Sequence, residues 1–297
     1  MTSVTREPLL FECEGDTLVG VVHRPGRMQA VGLVTVVAGG PQYRAGVGRG
    51  LVEMGDQLAA QGFPVLRFDY RGMGDSGGEF RGFEQIGADL ACAVAAFRKA
   101  LPEIERIVLW GGCDAASGIL IHAHALQGIA AIAVGNPWVS SSETQAVVIR
   151  RHYLQRLVQK SFWLKLLRLE YDLAGYAADA GRALRRRLVS RVKHDADTGP
   201  GGTVAPARGV PFIERMRRGL EAFDGPVLLL MSGRSLVSRE FDALIQQNPG
   251  WRSVAERKVT QREELPDADQ AFSSQSARKK VTLLLAAWLN GIVAAGE

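Results

Sequence analysis

The chain has 297 residues, 46% of them hydrophobic, enough to bury a sizeable core in one large domain with an insertion or in two small ones. Charged residues reach an ordinary 23%, and a net charge of +5 is too small an excess to point to nucleic acid as a partner. The three cysteines, Cys13, Cys92 and Cys113, are an odd number without metal-like spacing; they read as reduced thiols, and neither a metal nor a cofactor is expected.

Residues Met1 to Leu10 lack the charged-then-apolar order of a signal peptide. The apolar stretch Val281 to Ala295 is too short to span a bilayer and is interrupted by Thr282 and Asn290. A cytoplasmic protein with no transmembrane segment is therefore expected.

Leu9 to Cys13 and Leu18 to His23 read as extended segments around Glu14-Gly15-Asp16, an opening antiparallel hairpin with Val19 and Val21 facing one way. Val31 to Val37 is a near-continuous apolar run rich in β-branched residues, the pattern of a strand buried on both faces. Pro64 to Phe68, Ile107 to Trp110, Ala130 to Val134 and Val227 to Met231 repeat it. Helical spacing lies between them: Leu51, Met54 and Leu58, stopped by Gly62; then Ile86, Leu90, Val94 and Phe97. Val281, Leu284, Leu285, Trp288, Leu289 and Ile292 give a closing helix a wide apolar face. This alternation predicts an α/β fold with a mostly parallel central sheet and helices on both faces.

After Pro137 the alternation breaks. Ser140 to Lys193 carries helical periodicity on Tyr153, Leu157, Trp163 and Leu166, followed by turn-rich Asp195 to Gly209, and strand–helix alternation resumes near Phe212. Residues 1–138 and 211–297 are thus expected to form the two parts of one core, with 139–210 an inserted helical cap ending in a flexible Gly/Pro-rich stretch. Within the cap, Arg182, Arg185, Arg186, Arg187, Arg191 and Lys193 form a basic run. It could face an anionic glycan, a phosphate or a membrane surface, but a solvated helix face is the favoured reading. Phe162, Trp163, Leu166 and Leu167 suit an acyl pocket or plain packing of the cap.

Chemistry concentrates where Ile107 to Trp110 runs into Gly111-Gly112-Cys113-Asp114-Ala115. A G-x-S-x-G elbow presents its nucleophile on a tight strand-to-helix turn that needs small flanking residues. Gly111 supplies the first and Ala115 stands in for the second, with Cys113 at the nucleophile position; a thiolate is a stronger nucleophile than a neutral hydroxyl. The plain alternative is a buried cysteine acting as a small hydrophobe. A buried strand before the pentad and further strands after it favour the elbow. The glycine pair in Ala38-Gly39-Gly40-Pro41-Gln42 follows an early strand, which places oxyanion donors at the backbone N–H groups near Gly40 and at Asp114. Each such donor is worth about 3 kcal/mol where measured. An ordinary glycine turn explains the pair as well. The loop from Asp69 to Gly77 matches D-x-R-G-x-G-x-S and reads as structural, with Asp69 and Arg71 bonding to loop backbone.

Gly39-Gly40-Pro41-Gln42-Tyr43-Arg44, Phe63 through Ser76, Trp110-Gly111, Cys113-Asp114-Ala115-Ala116-Ser117, Asn136-Pro137-Trp138-Val139 and His152 through Leu157 together resemble the exosortase A system-associated hydrolases of the hydrolase 1 type. The resemblance runs over most of the chain and is weakest in the Gly-rich stretch after Lys193. It implies an α/β-hydrolase of the kind found in bacterial exopolysaccharide and protein-sorting gene clusters but supplies no substrate. The expected reaction is cleavage of an ester, thioester or other acyl bond, the expected ligand a small acyl or glycan-related molecule, and a protein of such a system is a candidate partner. Two positions depart from that family's pattern: Ser235 stands where an aspartate is expected and Gln270 where the histidine is expected.

The departures matter because the imidazole takes the nucleophile's proton and returns it to the leaving group, and the carboxylate orients it. Glutamine cannot titrate in that range. A cysteine is less crippled than a serine, since a few per cent is thiolate at neutral pH, and a helix N-terminus at the elbow predicts a lowered pKa. Of the five histidines, His122 and His124 lie on the segment leading away from the elbow, His152 and His194 fall in the cap, and His23 is an ordinary packing or surface residue. Asp267 and Asp269 are read as solvated loop carboxylates without a catalytic role. Two functions remain open: a hydrolase using Cys113, or a degenerate hydrolase that binds a ligand or partner without turnover.

Overall fold

The computed structural model describes residues 3–39, 43–140 and 210–295. Its first two strands, β1 (Val4–Cys13) and β2 (Asp16–Pro25), pair antiparallel across a two-residue turn. Glu14 and Gly15 both have positive φ, 51° and 91°, the requirement of a turn whose twist matches the flanking strands. The buried face of β2 carries Leu18, Gly20 and Val22, so Val19 and Val21 share the less buried face.

Six further strands complete the sheet: β3 (Val31–Val36), β4 (Val65–Phe68), β5 (Arg106–Gly112), β6 (Ile129–Gly135), β7 (Val227–Ser232) and β8 (Val259–Leu265). Their order is β1-β2-β4-β3-β5-β6-β7-β8, parallel from β4 to β8. The apolar runs are buried on both faces because alternate residues enter different cores. Leu33, Val108, Ala133 and Leu228 face one side, and Val34, Leu109, Val134 and Leu229 the other. The first side is covered by α1 (Gly50–Ala59), through Met54 and Leu58, and by the closing helix α7 (Gln275–Ala294), through Val281, Leu285 and Leu289. The second is covered by α2 (Gly87–Ala100), α3 (Cys113–His122), α4 (Phe212–Ala222), α5 (Leu236–Gln247) and α6 (Pro249–Lys258).

Strand β8 has no apolar run. Its sequence VTQREEL alternates half-buried and exposed positions, as suits an edge strand with one wet face. By its contacts the chain divides into Met1–Thr144 with Val210–Glu297, and Gln145–Gly209. All of the second unit lies outside the described residues, and with it most of the expected cap, its basic run, Phe162 through Leu167, His152 and His194.

The Asp69 loop is structural, with one correction. The buried Asp69 carboxylate accepts the Arg44 N–H at 2.5 Å and the Asp75 N–H at 3.2 Å and pairs with the Arg44 guanidinium. A Cβ at Gly74, whose φ is 50°, would overlap that carboxylate, which explains the glycine. Arg71 bonds to carboxylates rather than loop backbone: its Nε donates to Asp89 at 2.8 Å, and it also pairs with Glu14. A buried guanidinium is better matched by two charged acceptors than by carbonyls.

Candidate active site

Parallel strands deliver their C-terminal ends to one edge of the sheet, where ligands bind in open α/β folds. Gly39 follows β3 there, Cys113 follows β5, Asn136 follows β6, and Gln270 lies in the loop after β8. The β3–β5 register sets Val36 against Gly111, which brings the loop after β3 level with the turn that carries the thiol.

Cys113 has φ 56°, in the left-handed region, on the residue that opens α3. A side chain there costs about 1–3 kcal/mol and persists only where the surroundings over-determine it. Two hydrogen bonds and a close helix–strand crossing do so. The Cys113 carbonyl accepts the Trp138 N–H at 3.1 Å, and Ser117 Oγ donates to the Trp138 carbonyl at 2.7 Å. A Cβ on Gly111 would stand 2.8 Å from Ile119 Cδ1 and 3.2 Å from Ala115 Cβ, so this crossing admits only small residues. The thiol opens into a largely apolar cleft of about 680 Å³, walled by Val36, Leu51, Met54, Trp110, Phe272 and Val281 among others.

Gln270 reaches the thiol: its Nε2 donates to Cys113 Sγ at 3.0 Å. Its loop is tied down by Asn136, whose Nδ2 donates to the Gln270 carbonyl and to Ser232 Oγ, both at 2.8 Å. Asn136 Oδ1 accepts Ser238 Oγ at 2.6 Å, and Ser232 Oγ donates to the Asp269 carbonyl at 2.7 Å. Ser235 caps α5, accepting the Ser238 N–H at 3.3 Å, and is 2% exposed. One hydrogen-bonded chain thus runs from Ser235 through Ser238, Asn136 and Gln270 to Cys113. The part played by Asn136 is invisible to periodicity. Its one sequence signal is a polar residue closing a buried strand, here at φ 48°.

The expected oxyanion side is differently engaged. The Asp114 carboxylate accepts the Gly39 N–H with both oxygens at 2.9 Å and the Ala115 N–H with Oδ1 at 2.9 Å. Gly40 lies outside the described residues. Burial raises the Asp114 carboxyl above its ordinary range, against the pull of these N–H groups.

The lowered Cys113 pKa expected from the helix N-terminus is reversed. Burial raises it first and the Asp114 charge second, while the Gln270 and Asp114 N–H donors pull weakly the other way. His122 donates from Nε2 to the Glu84 carbonyl at 3.0 Å, at the far end of α3, about 13 Å of helix rise from the elbow. His23 is fully buried against Asp56 and Arg67. Asp267 is an exposed partner of Arg234, and Asp269, although it borders the cleft, accepts Ser273 N–H at 2.8 Å. Among the described residues no cluster of three or more His, Cys, Asp or Glu could hold a metal, and no helix is long and apolar enough to cross a membrane.

A family model described as serine aminopeptidase, S33, matches residues 45–240, more than half of the chain. The chain belongs to this S33 family. No curated protein matches it. Among solved structures, an esterase of Pyrococcus furiosus is 14% identical with a TM-score of 0.61, covering 97% of this chain and 92% of the other. The α/β hydrolase GrgF from a Penicillium species is 17% identical with a TM-score of 0.60, covering 97% and 98%. A thermophilic esterase from Thermogutta terrifontis is 17% identical with a TM-score of 0.54, covering 97% and 99%. At these identities the likeness shows the α/β-hydrolase fold, and S33 family membership makes the chain a member of a hydrolase family. This S33 family member carries cysteine at its strand-to-helix turn.

Proposed function

We propose that this protein acts on ester, thioester or related acyl bonds with Cys113 as nucleophile, at a rate limited by weak proton transfer. The observation that carries this reading is the Cys113 backbone, held at φ 56° so that the thiol faces an apolar cleft large enough for an acyl chain. Sulfur attacks the acyl carbonyl, the thiol proton leaves to solvent, the bond to the leaving group breaks, and water resolves the thioester. Gln270 holds the sulfur from the side where an imidazole would take its proton; an amide can position the sulfur but cannot titrate. Purified protein assayed on short- and medium-chain activated esters beside Cys113→Ala tests the reading. Equal rates for the two proteins would sink it.

A second reading has its own observation. The Asp114 carboxylate sits on the Gly39 N–H, and the raised Cys113 pKa keeps the thiol protonated, both of which suit a protein that binds an acylated or glycan-related ligand without turnover. It predicts ligand-induced stabilisation that survives Cys113→Ala. The wider setting we propose is cytoplasmic, beside a partner protein of an exopolysaccharide or protein-sorting system. Its support is the resemblance to exosortase-associated hydrolases in the Gly39–Arg44 and Cys113–Ser117 runs. Co-purification with products of such a gene cluster tests it.

A further inference from the structure

Asp114 is the unusual group in this cleft. Its carboxylate borders the apolar wall beside the nucleophile, is substantially buried, and has no ion-pair partner among the described residues. Both of its oxygens rest on the Gly39 N–H. With Cys113 as nucleophile, that N–H, one residue before the expected donor at Gly40, is within the stretch a carbonyl oxygen would approach as negative charge develops on it. A fixed anion in the same place repels that charge in a medium of low dielectric.

Tyr70 supplies a second, independent observation. It is 2% exposed, and its hydroxyl is buried without a hydrogen-bond partner among the described residues. Buried hydroxyls are almost always paired, so an orphan asks for an acceptor that arrives in another state of the site. The hydroxyl is next to Gly39: a Cβ built there would lie 3.4 Å from Tyr70 Oη and would overlap Asp114 Oδ2. Carboxylate and phenol therefore flank one point without bonding to each other.

We propose that Asp114 is a displaceable internal anion: it holds the Gly39 N–H in the resting cleft, yields it to a ligand's carbonyl oxygen, and is then received by the Tyr70 hydroxyl. The occupant is an acyl carbonyl compound whose apolar chain lies along the Leu51, Met54 and Val281 wall. This rests on Cys113 as nucleophile, and it adds a positioning role for Asp114 and Tyr70. Asp114 selects against weakly held ligands, because only a carbonyl that also gains apolar contact or a bond to sulfur displaces it.

The probe is a medium-chain alkyl trifluoromethyl ketone. The Cys113 sulfur forms the S–C bond, the C=O π pair moves onto oxygen as an alkoxide, and the thiol proton leaves to solvent. Fluorine NMR reports the adduct directly, without turnover. Asp114→Ala vacates Gly39 and is expected to bind the ketone up to about 10²-fold more tightly, the worth of one oxyanion donor. Asp114→Asn keeps an acceptor on Gly39 but removes the charge; it falls between and covers the case in which the alanine variant folds poorly. Tyr70→Phe weakens binding in the wild type but not in the Asp114→Ala background, a coupling that a merely structural role for Tyr70 would not produce. An adduct in the wild type that Asp114→Ala and Asp114→Asn leave unchanged or weaken overturns the Asp114 assignment alone. No Cys113-dependent adduct in any variant overturns the Cys113 reading and this inference with it.

Discussion

Installing an acid and a base together, Ser235→Asp with Gln270→His, is expected to raise kcat/KM on activated esters by about 10²–10⁴-fold. That is the usual worth of a positioned general base, about 3–5 kcal/mol. The geometry supports the base position, and the acid position follows from the resembled family pattern. Gln270 Nε2 already stands 3.0 Å from Cys113 Sγ, within the reach a base requires, so an imidazole on the same backbone meets the sulfur. Its loop stays anchored because Asn136 binds the Gln270 carbonyl rather than the side chain. At 235, aspartate caps α5 as well as serine does, so the helix end is retained. The position is 2% exposed, however, and a buried carboxylate without a cationic partner costs more than the ~1–3 kcal/mol of a neutral unsatisfied group. Ser235→Asp alone should therefore lose stability and gain no activity. Gln270→His alone should gain activity only partly, for want of a group to orient the ring, and the double variant should exceed the sum. The assay is steady-state kcat/KM for all four proteins beside Cys113→Ala, with a thermal melt of each. A double variant that melts within a few degrees of wild type yet differs by less than about threefold in kcat/KM would falsify the assignment of these two positions.

Cys113 alkylation by iodoacetamide should rise with pH through an inflection above that of a free thiol, since burial and Asp114 both disfavour the thiolate. Gln270→Leu should push the inflection higher, and an inflection below the free-thiol value would contradict the site electrostatics. Asn136→Ala removes a residue whose amide bonds four groups across β7, α5 and the Gln270 loop. A loss of about 2–4 kcal/mol in urea unfolding is expected, with weaker ketone binding. His23 is held neutral: burial, and then the Arg67 charge, lower its pKa to about 4 against Asp56. The unfolded chain takes the proton first, near 6.5, so this stability is present above that pH and is lost as pH falls towards 4, about 3 kcal/mol in all. Urea titrations across that window should show the slope in wild type and a flatter one in His23→Gln.

The buried strands β3 to β7 are legible because they are apolar on both faces, and the elbow because its crossing admits only small residues at Gly111 and Ala115. Strand β8 is not, since VTQREEL carries charge at its exposed positions and owes its place to pairing with β7. The Asp114 position drew attention for its backbone N–H. Its carboxylate reaches Gly39 only because β3 and β5 are neighbours in register, which local sequence does not encode. The same holds for His23 and Arg67, which are thrown together by the β2–β4 pairing and read as unremarkable when taken singly. Ser235 and Gln270 were visible as departures from a resembled pattern. The hydrogen-bonded chain that joins them was not, because its middle member, Asn136, is more than ninety residues from Ser232.

Each thiol also carries information about the state of the whole chain. Cys13 is 1% exposed, and burial first, with the neighbouring Cys92 thiol second, pushes its pKa up to about 12; Cys113 is raised too. On unfolding both return to the ordinary thiol range, so their chemical lifetimes towards a neutral-pH reagent shorten sharply. Cys13 closes β1 in the opening hairpin, whereas Cys113 owes its surroundings to segments spread over most of the chain. Timed labelling followed by mass mapping would thus read two clocks within one molecule, one set by the packing of the opening hairpin against α2 and one by assembly of the strand ends around Cys113.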